Sequence, residues 1–316
     1  MSIEDILLEI RKRETFLITT HVNPEGDAIG SSLALALALS SIGKKVEVIT
    51  QDPVPKGLKF LPSSDTIKQA KSIDRRFDAV ITVDCGDLER VGFLKIDNIP
   101  GDILINIDHH VTNKGFGAVN FVEDAVASAQ LIYDIMKRLN ISLTPDIATC
   151  IYTAIMTETG SFRYSNTTSE TFKIAQEMVS AGAMPWNIAE QIFNRNNIGR
   201  IKLLGLILES LDRSDDGKIS WITVREQMYR ETGTSKEDVE DFINFPRSIE
   251  GVEVAILFRE SNQGWKISLR SNGKVDVSNM ALEFGGGGHS MAAGFFIQGG
   301  HEEVKKRVVD SARTFL

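Results

Sequence analysis

Cysteine is nearly missing from this chain: Cys85 and Cys150 are the only two in 316 residues. They offer no disulfide framework and fit a reducing cytoplasm better than an oxidising compartment. Long apolar runs are missing too. The longest, near Leu33 to Leu39, falls well short of the ~20 residues that span a bilayer, so no membrane association is expected. The N-terminal stretch SIEDILLEIRKRE carries acidic residues where a secretory leader needs a basic segment and an apolar core. Excess positive charge is absent, with 35 basic residues against 43 acidic ones and a net charge of −8. That balance argues against duplex-specific nucleic-acid binding driven by general charge, while leaving room for a small phosphorylated substrate held by metals and a few local cations. No internal repeat or low-complexity segment interrupts the sequence. What remains is the composition of an ordinary soluble globular protein, 42% hydrophobic and 25% charged, long enough for two domains.

One stretch organises the rest. Phe16-Leu17-Ile18-Thr19-Thr20 reads as a buried strand, Leu33–Leu39 alternates Leu and Ala as a strong helix former, and HVNPEGDAIGSS (His21–Ser32) joins them. The joining turn holds His21, Glu25 and Asp27. Strand-to-helix loops at the carboxyl ends of α/β strands are where ligands bind, and imidazole nitrogen with carboxylate oxygen suits a divalent transition ion such as Mn²⁺. An Asp-Gly turn capping a helix uses the same residue types, so this stretch alone leaves both readings open.

Further strands are expected at Val46–Ile49, Ala79–Val83 and Ile103–Ile107, the third ending directly on Asp84 and the fourth on Asp108-His109-His110. Helical patterns cover 3–13, 128–140, 146–156 and 169–180. Strands alternating with helices predict an α/β domain, a mostly parallel sheet with helices on both faces. Residues 186–212 read as a helical connector. Beyond Gly217 the composition turns β-rich, with strands at Ile219–Val224, Val252–Phe258 and Trp265–Leu269 and helices near Lys236–Phe242 and Val304–Phe315. This predicts a smaller α+β C-terminal domain, with a cleft between the two. The expected boundaries are 1–188, a connector at 189–212, and 213–316.

Four of the five histidines, His21, His109, His110 and His289, stand in polar or glycine-rich motifs, and His301 looks incidental. A strand-end His or Asp is commonly structural, and Glu158 could be solvated helix surface. Asp108-His109-His110 is sharper, because two adjacent imidazoles and a carboxylate are costly to bury without a cation. The run Gly285–Gly288 lets backbone approach a ligand and present N–H groups to an anion, or forms a flexible hairpin. Arg270 and His289 tilt it towards a terminal phosphate. Arg163, just after Glu158, needs no special reason to be exposed.

These motifs carry a family resemblance. His21–Ser32, VDCGD (Val83–Asp87), Asp108–His110 and TETGSFRYSNTT (Thr157–Thr168) resemble the four ordered motifs of the DHH phosphoesterase superfamily. SLRS (Ser268–Ser271) followed by GGGGHSMAAGF (Gly285–Phe295) resembles its DHHA1 C-terminal domain. The two-domain layout is most similar to bacterial nanoRNases, which degrade very short oligoribonucleotides and dephosphorylate 3′-phosphoadenosine 5′-phosphate (pAp).

The resemblance implies a two-manganese site, with Mg²⁺ as the alternative ion. His21 and Glu25 would hold the first ion, Asp27 and His109 the second, Asp84 would bridge them, and Glu158 would complete the second sphere. Two such ions ~4 Å apart generate a hydroxide nucleophile and clamp the phosphoryl oxygens of an in-line displacement. Asp108 and His110 would be the catalytic pair beside the metals, Asp108 orienting an imidazole and His110 facing the substrate phosphate. Arg270, Ser271, Gly286, Gly287, Gly288 and His289 would bind substrate. The family's usual pattern has Asp at positions 25 and 158, and the longer Glu side chains alter metal spacing, preferred ion and turnover.

The leading expectation is a cytoplasmic Mn²⁺-dependent phosphoesterase acting on short single-stranded RNA or DNA oligonucleotides and pAp, either as a monomer or as a homodimer. A rival enzymatic reading is hydrolysis of cyclic dinucleotides or their linear products. A family II pyrophosphatase fits the GGGGH domain less well. A rival of another class is a catalytically weakened nucleotide-binding module, favoured only by Glu25 and Glu158.

Overall fold

The computed structural model describes residues 3–316, the side chain of Glu240 excepted. Residues 1 and 2, where the expected first domain begins, lie outside the described residues. The chain divides into two compact units, Met1–Arg195 and Asn196–Leu316.

The first unit is built on a six-stranded, wholly parallel sheet. Its strands are β1 (Thr15–Thr19), β2 (Lys45–Thr50), β3 (Lys68–Gln69), β4 (Ala79–Val83), β5 (Leu104–Asp108) and β6 (Val119–Val122), in the order β3-β2-β1-β4-β5-β6. Strands β1, β4 and β5 are almost wholly buried, which is why they read as continuous apolar runs rather than alternating ones. Among the described residues six α-helices belong to this unit: α1 (Ile3–Lys12), α2 (Gly26–Ser41), α3 (Ser128–Arg138), α4 (Pro145–Glu158), α5 (Ser169–Ser180) and α6 (Pro185–Phe193). All six contribute to one large core with Phe16, Ile18, Ala79, Ile81, Ile105 and Ile107 from the sheet. Alternate strand residues Leu17, Val80 and Leu104 face the other way and pack with Cys85, Leu88, Val91 and Leu94. That second face is covered by loops and short 3₁₀ turns, because the segments supplying it are polar and punctuated by Pro and Gly.

Chain direction reverses its outward growth between neighbouring strands β1 and β4, the switch point of a doubly wound sheet. The loops leaving β1 and β4 therefore part to opposite sides and open a crevice at the carboxyl edge. Sequence reasoning found the strands that define this edge but missed β3 and β6. Both are short, and Val-Asn-Phe-Val gives too brief an alternation to register.

Helix α2 lies within the core. Its contact with α4 is close enough that side chains at two positions would collide: a Cβ on Gly30 would stand 2.7 Å from the Cys150 carbonyl oxygen. Both cysteines are free and buried.

The second unit carries α7 (Ile198–Leu208), β7 (Asp212–Arg213), β8 (Ile219–Val224), α8 (Glu226–Thr232), α9 (Asn244–Arg247), β9 (Val254–Ser261), β10 (Gly264–Ser271), α10 (Val277–Glu283), β11 (Gly287–His289), β12 (Ala292–Ile297) and α11 (His301–Thr314). Its mixed sheet runs β11-β12-β10-β9-β8-β7, with only the β8–β9 pair parallel. One face packs on α10 and α11 through Val277, Met280, Val304 and Val308, the other on α7 and α8 through Leu203, Ile207 and Tyr229. The segment 186–212, read as a mostly helical connector, holds most of α6 in the first unit and all of α7 in the second, separated by Asn194–Asn197. No helix among the described residues is long and apolar enough to cross a membrane.

Candidate metal centre

The carboxyl ends of β1, β4 and β5 deliver the predicted residues to one place. His21 lies just past β1, and Glu25 and Asp27 lie on the turn into α2, where Glu25 is the cap residue. Asp84 follows β4 with φ at +56°, a left-handed backbone uncommon outside glycine but most tolerable for Asp and Asn. Asp108 is the last residue of β5, and His109 and His110 follow it. Glu158 ends α4.

Asp84 is the centre of this arrangement. Ligand atoms of His21, Glu25 and Asp84 lie within 4.8 Å of one another, and so do those of Asp84, His109 and His110. On one side His21 Nε2 stands 3.1 Å from Glu25 Oε1 and 3.7 Å from Asp84 Oδ2. On the other, His109 Nε2 stands 3.4 Å from Asp84 Oδ1 and 3.7 Å from Asp27 Oδ2.

The ring orientations are fixed from outside. His21 Nδ1 donates to the Val22 carbonyl at 2.8 Å, and His109 Nδ1 donates to the Ala125 carbonyl at 3.1 Å. A carbonyl oxygen only accepts, so Nδ1 of each ring carries a proton and Nε2 is the nitrogen turned towards the carboxylates, protonated there until an ion takes that proton's place. That is the orientation a metal-binding histidine needs. The donor set therefore fits divalent ions, with Asp84 facing both groups.

The electrostatics point the same way. Burial pulls the His21 pKa down, but Asp84 and Glu25 more than reverse this and raise it to about 10. His109 is likewise raised to about 10, burial being outweighed by Asp84 and Asp27. Burial alone would push Asp84 up, yet the His109 and His21 rings hold it well below the usual carboxylate range. Asp27 is pushed well above that range by burial and by the Asp84 charge. Glu158 rises to about 7, through burial first and then Asp84. Acidic groups crowded into so little solvent, with protonated imidazoles as counter-charge, form a site that a cation would relieve.

Sequence reasoning missed the residues that hold this set in place. Ser128 and Ala129, at the start of α3, donate their backbone N–H groups to Asp27 at 2.6 and 3.1 Å, and Ser31 adds its hydroxyl at 2.6 Å. The Ser128 hydroxyl reaches Asp84 Oδ1 at 3.0 Å. Asp108 receives His110 Nδ1 on Oδ1 at 2.6 Å and Asn113 Nδ2 on Oδ2 at 2.6 Å. The imidazole that Asp108 orients is thus His110. Asp87, at the end of the second motif, caps a 3₁₀ turn by accepting from Glu89 N–H.

The predicted substrate residues lie in the second unit. Arg270 on β10 and His289 on β11 are both in register with Ala292 on the intervening β12, so the two side chains share a sheet face. Ser271 is buried, and its hydroxyl accepts from Gly273 N–H at 3.0 Å. Two glycines of the run are required by packing as well: a Cβ on Gly288 would stand 2.5 Å from the Ala292 carbonyl oxygen, and one on Gly286 would stand 2.3 Å from that of Gly294.

Known proteins share this plan. The profile of the DHH family, N-terminal domain, matches residues 15–155, and that of the DHHA1 domain matches residues 219–316. The bifunctional oligoribonuclease and PAP phosphatase NrnA of Thermus thermophilus is 34% identical over 301 residues, 95% of this chain and 89% of its own length. Its namesake from Bacillus subtilis is 25% identical over 92% of this chain and 91% of its own. The crystal structure of an exopolyphosphatase-related protein from Bacteroides fragilis superposes with a TM-score of 0.92 at 30% identity, covering 99% of this chain and 96% of that one.

Proposed function

The chain belongs to the DHH family, with a DHHA1 domain at its C-terminal end, and is a hydrolase acting on phosphoester bonds; from that premise we propose that it degrades very short oligoribonucleotides and dephosphorylates pAp with two Mn²⁺ ions. The observation that carries this reading is Asp84, one buried carboxylate shared by two groups of histidine and carboxylate donors. Similarity along nearly the whole length to an oligoribonuclease and PAP phosphatase supports the substrate class.

In this reading residues 1–188 carry the chemistry, 189–212 connect, and 213–316 bind substrate. His21 and Glu25 would hold one ion, Asp27 and His109 the other, and Asp84 both, with Glu158 completing the second sphere. Divalent ions bound there would acidify the attacking water and neutralise charge on the phosphoryl oxygens. The protein's own groups do the rest. Ser31, Ser128 and Ala129 keep Asp27 aimed into the site, so its oxygens need not reorganise as substrate arrives. His110, held by Asp108, meets the substrate phosphate. Arg270 and His289 grip a second phosphate, and the close-packed glycines let backbone N–H groups approach it. The two buried free thiols suit a cytoplasmic location.

A substrate panel tests the proposal. The purified chain with Mn²⁺ is offered dinucleotide RNA, longer RNA, pAp and a cyclic dinucleotide. Release of mononucleotide from the shortest RNA and of phosphate from pAp is expected. Turnover of the cyclic compound alone would replace the substrate assignment. Binding without turnover of any member would make the chain a nucleotide-binding module.

A further inference from the structure

Asn113 lies in the loop after β5, three residues past His110, and nothing in its sequence setting, Thr112-Asn113-Lys114-Gly115, distinguishes it from a turn asparagine. It does make the turn: its Oδ1 accepts from Gly115 N–H at 2.8 Å. That bond also fixes which way round the amide sits, because Gly115 N–H needs an acceptor. The Nδ2 end must then face inward, where three acceptors meet it: Asp108 Oδ2 at 2.6 Å, Asn106 Oδ1 at 2.7 Å and the Cys85 carbonyl at 3.2 Å. An amide has two N–H bonds, and the two short contacts use them.

Asn106 is a fully buried polar residue within β5, and it is itself pinned: its Nδ2 donates to Thr82 Oγ1 on β4 at 3.0 Å and to the Cys85 carbonyl at 3.2 Å. A continuous chain of hydrogen bonds therefore runs from the sheet through Asn106 and Asn113 to Asp108, and from Asp108 Oδ1 to His110 Nδ1. Buried polar networks hold geometry only while every member is satisfied. Without Asn113, the Asp108 carboxylate loses the donor on its far oxygen and is free to turn, and His110 loses the fixed acceptor that keeps its proton on Nδ1.

We propose that Asn113 is a positioning residue of the phosphoester hydrolase: it locks the Asp108 carboxylate against the frame of β4 and β5, and thereby sets the orientation and tautomer of His110. The inference rests on the reading of His110 as the group that meets the substrate phosphate.

The test uses the full chain loaded with Mn²⁺ and two variants, Asn113→Ala and Asn113→Leu, the second matching the side-chain size without donors. Kinetics on the shortest RNA substrate should show kcat reduced ~10–100-fold in both, the usual loss when an outer partner of a site is removed, with KM and metal content unchanged. Separately, ¹⁵N spectra of the histidine rings in the metal-free protein should show His110 protonated on Nδ1 in the wild type and shared between Nδ1 and Nε2 in the variants. Wild-type kcat in a folded variant, or a His110 that stays on Nδ1, overturns the proposal. If the unmodified chain turns over none of the panel substrates, the parent reading falls on its own, and the ring spectra still decide the part played by Asn113.

Discussion

Gly26 and Thr157 touch so closely that a methyl group on the glycine would stand 2.1 Å from the threonine Oγ1. One residue precedes Asp27 and the other precedes Glu158, so this contact seats two members of the candidate metal centre against each other. Replacing Gly26 by Ala forces α2 and α4 apart. It is expected to cost about 1–3 kcal/mol of stability, the usual range for overpacking a filled core. Thermal melts should show the loss, and metal content should fall because Glu158 is drawn away. A Gly26→Ala protein with an unaltered melt and full metal content would remove the packing argument.

Asp84 faces both donor groups, so removing its charge should release more metal than any other single change. Asp84→Asn is the cleaner variant, since Asn tolerates the +56° φ that Ala would not. Elemental analysis is expected to give about two ions per wild-type chain, as a two-metal site requires, and well under one in the variant. Equal metal in both would mean that Asp84 is not shared.

Ser128→Ala separates support from ligation. It deletes the hydroxyl on Asp84 Oδ1 while leaving the backbone N–H on Asp27. The fold should persist and kcat or metal affinity should drop ~10–100-fold. Activity equal to wild type would show that the backbone contact alone suffices.

The opposite edge of the sheet gives a pH prediction. Asp78, just before β4, accepts from the backbone N–H groups of Glu14 and Thr15 at 2.9 and 2.8 Å, and these bonds hold its carboxyl below the usual carboxylate range. A group whose folded pKa is lowered adds stability above its unfolded pKa, and loses it as pH falls through the folded value. Denaturant titrations from pH 7 downward should therefore show the wild type losing more stability than Asp78→Asn over that acid window. Parallel curves would assign the acid limb to other carboxylates.

Much of the fold was legible because the buried strands write themselves as unbroken apolar runs, and each run ends on the polar residue it delivers: His21, Asp84, Asp108. What sequence could not supply were the partners. Ser128 lies 101 residues from Asp27, and a serine opening a helix looks the same whether or not a carboxylate waits above it. Asn106 interrupts an otherwise apolar strand, and a polar residue that fully buried must have partners. The glycine run left an anion-binding loop and a flexible hairpin both open, whereas in the structure part of it pairs as β11 with β12, which passes too close for a side chain at Gly286 and Gly288. Ser271 came with Arg270 in the SLRS motif; successive strand residues face opposite sides, and the structure buries Ser271.

The two thiols give the molecule a clock. Burial pushes Cys85 up to about 12 and raises Cys150 further, so neither reacts with a thiol reagent while its surroundings stay closed. Cys85 adjoins Asp84 at the candidate metal centre, and the Cys150 carbonyl lies against α2 at Gly30. Their labelling rates report two separate openings of one unit, the first at the mouth of the metal centre and the second at the α2–α4 contact. If bound ions close the mouth alone, metal will slow the first rate and leave the second where it was.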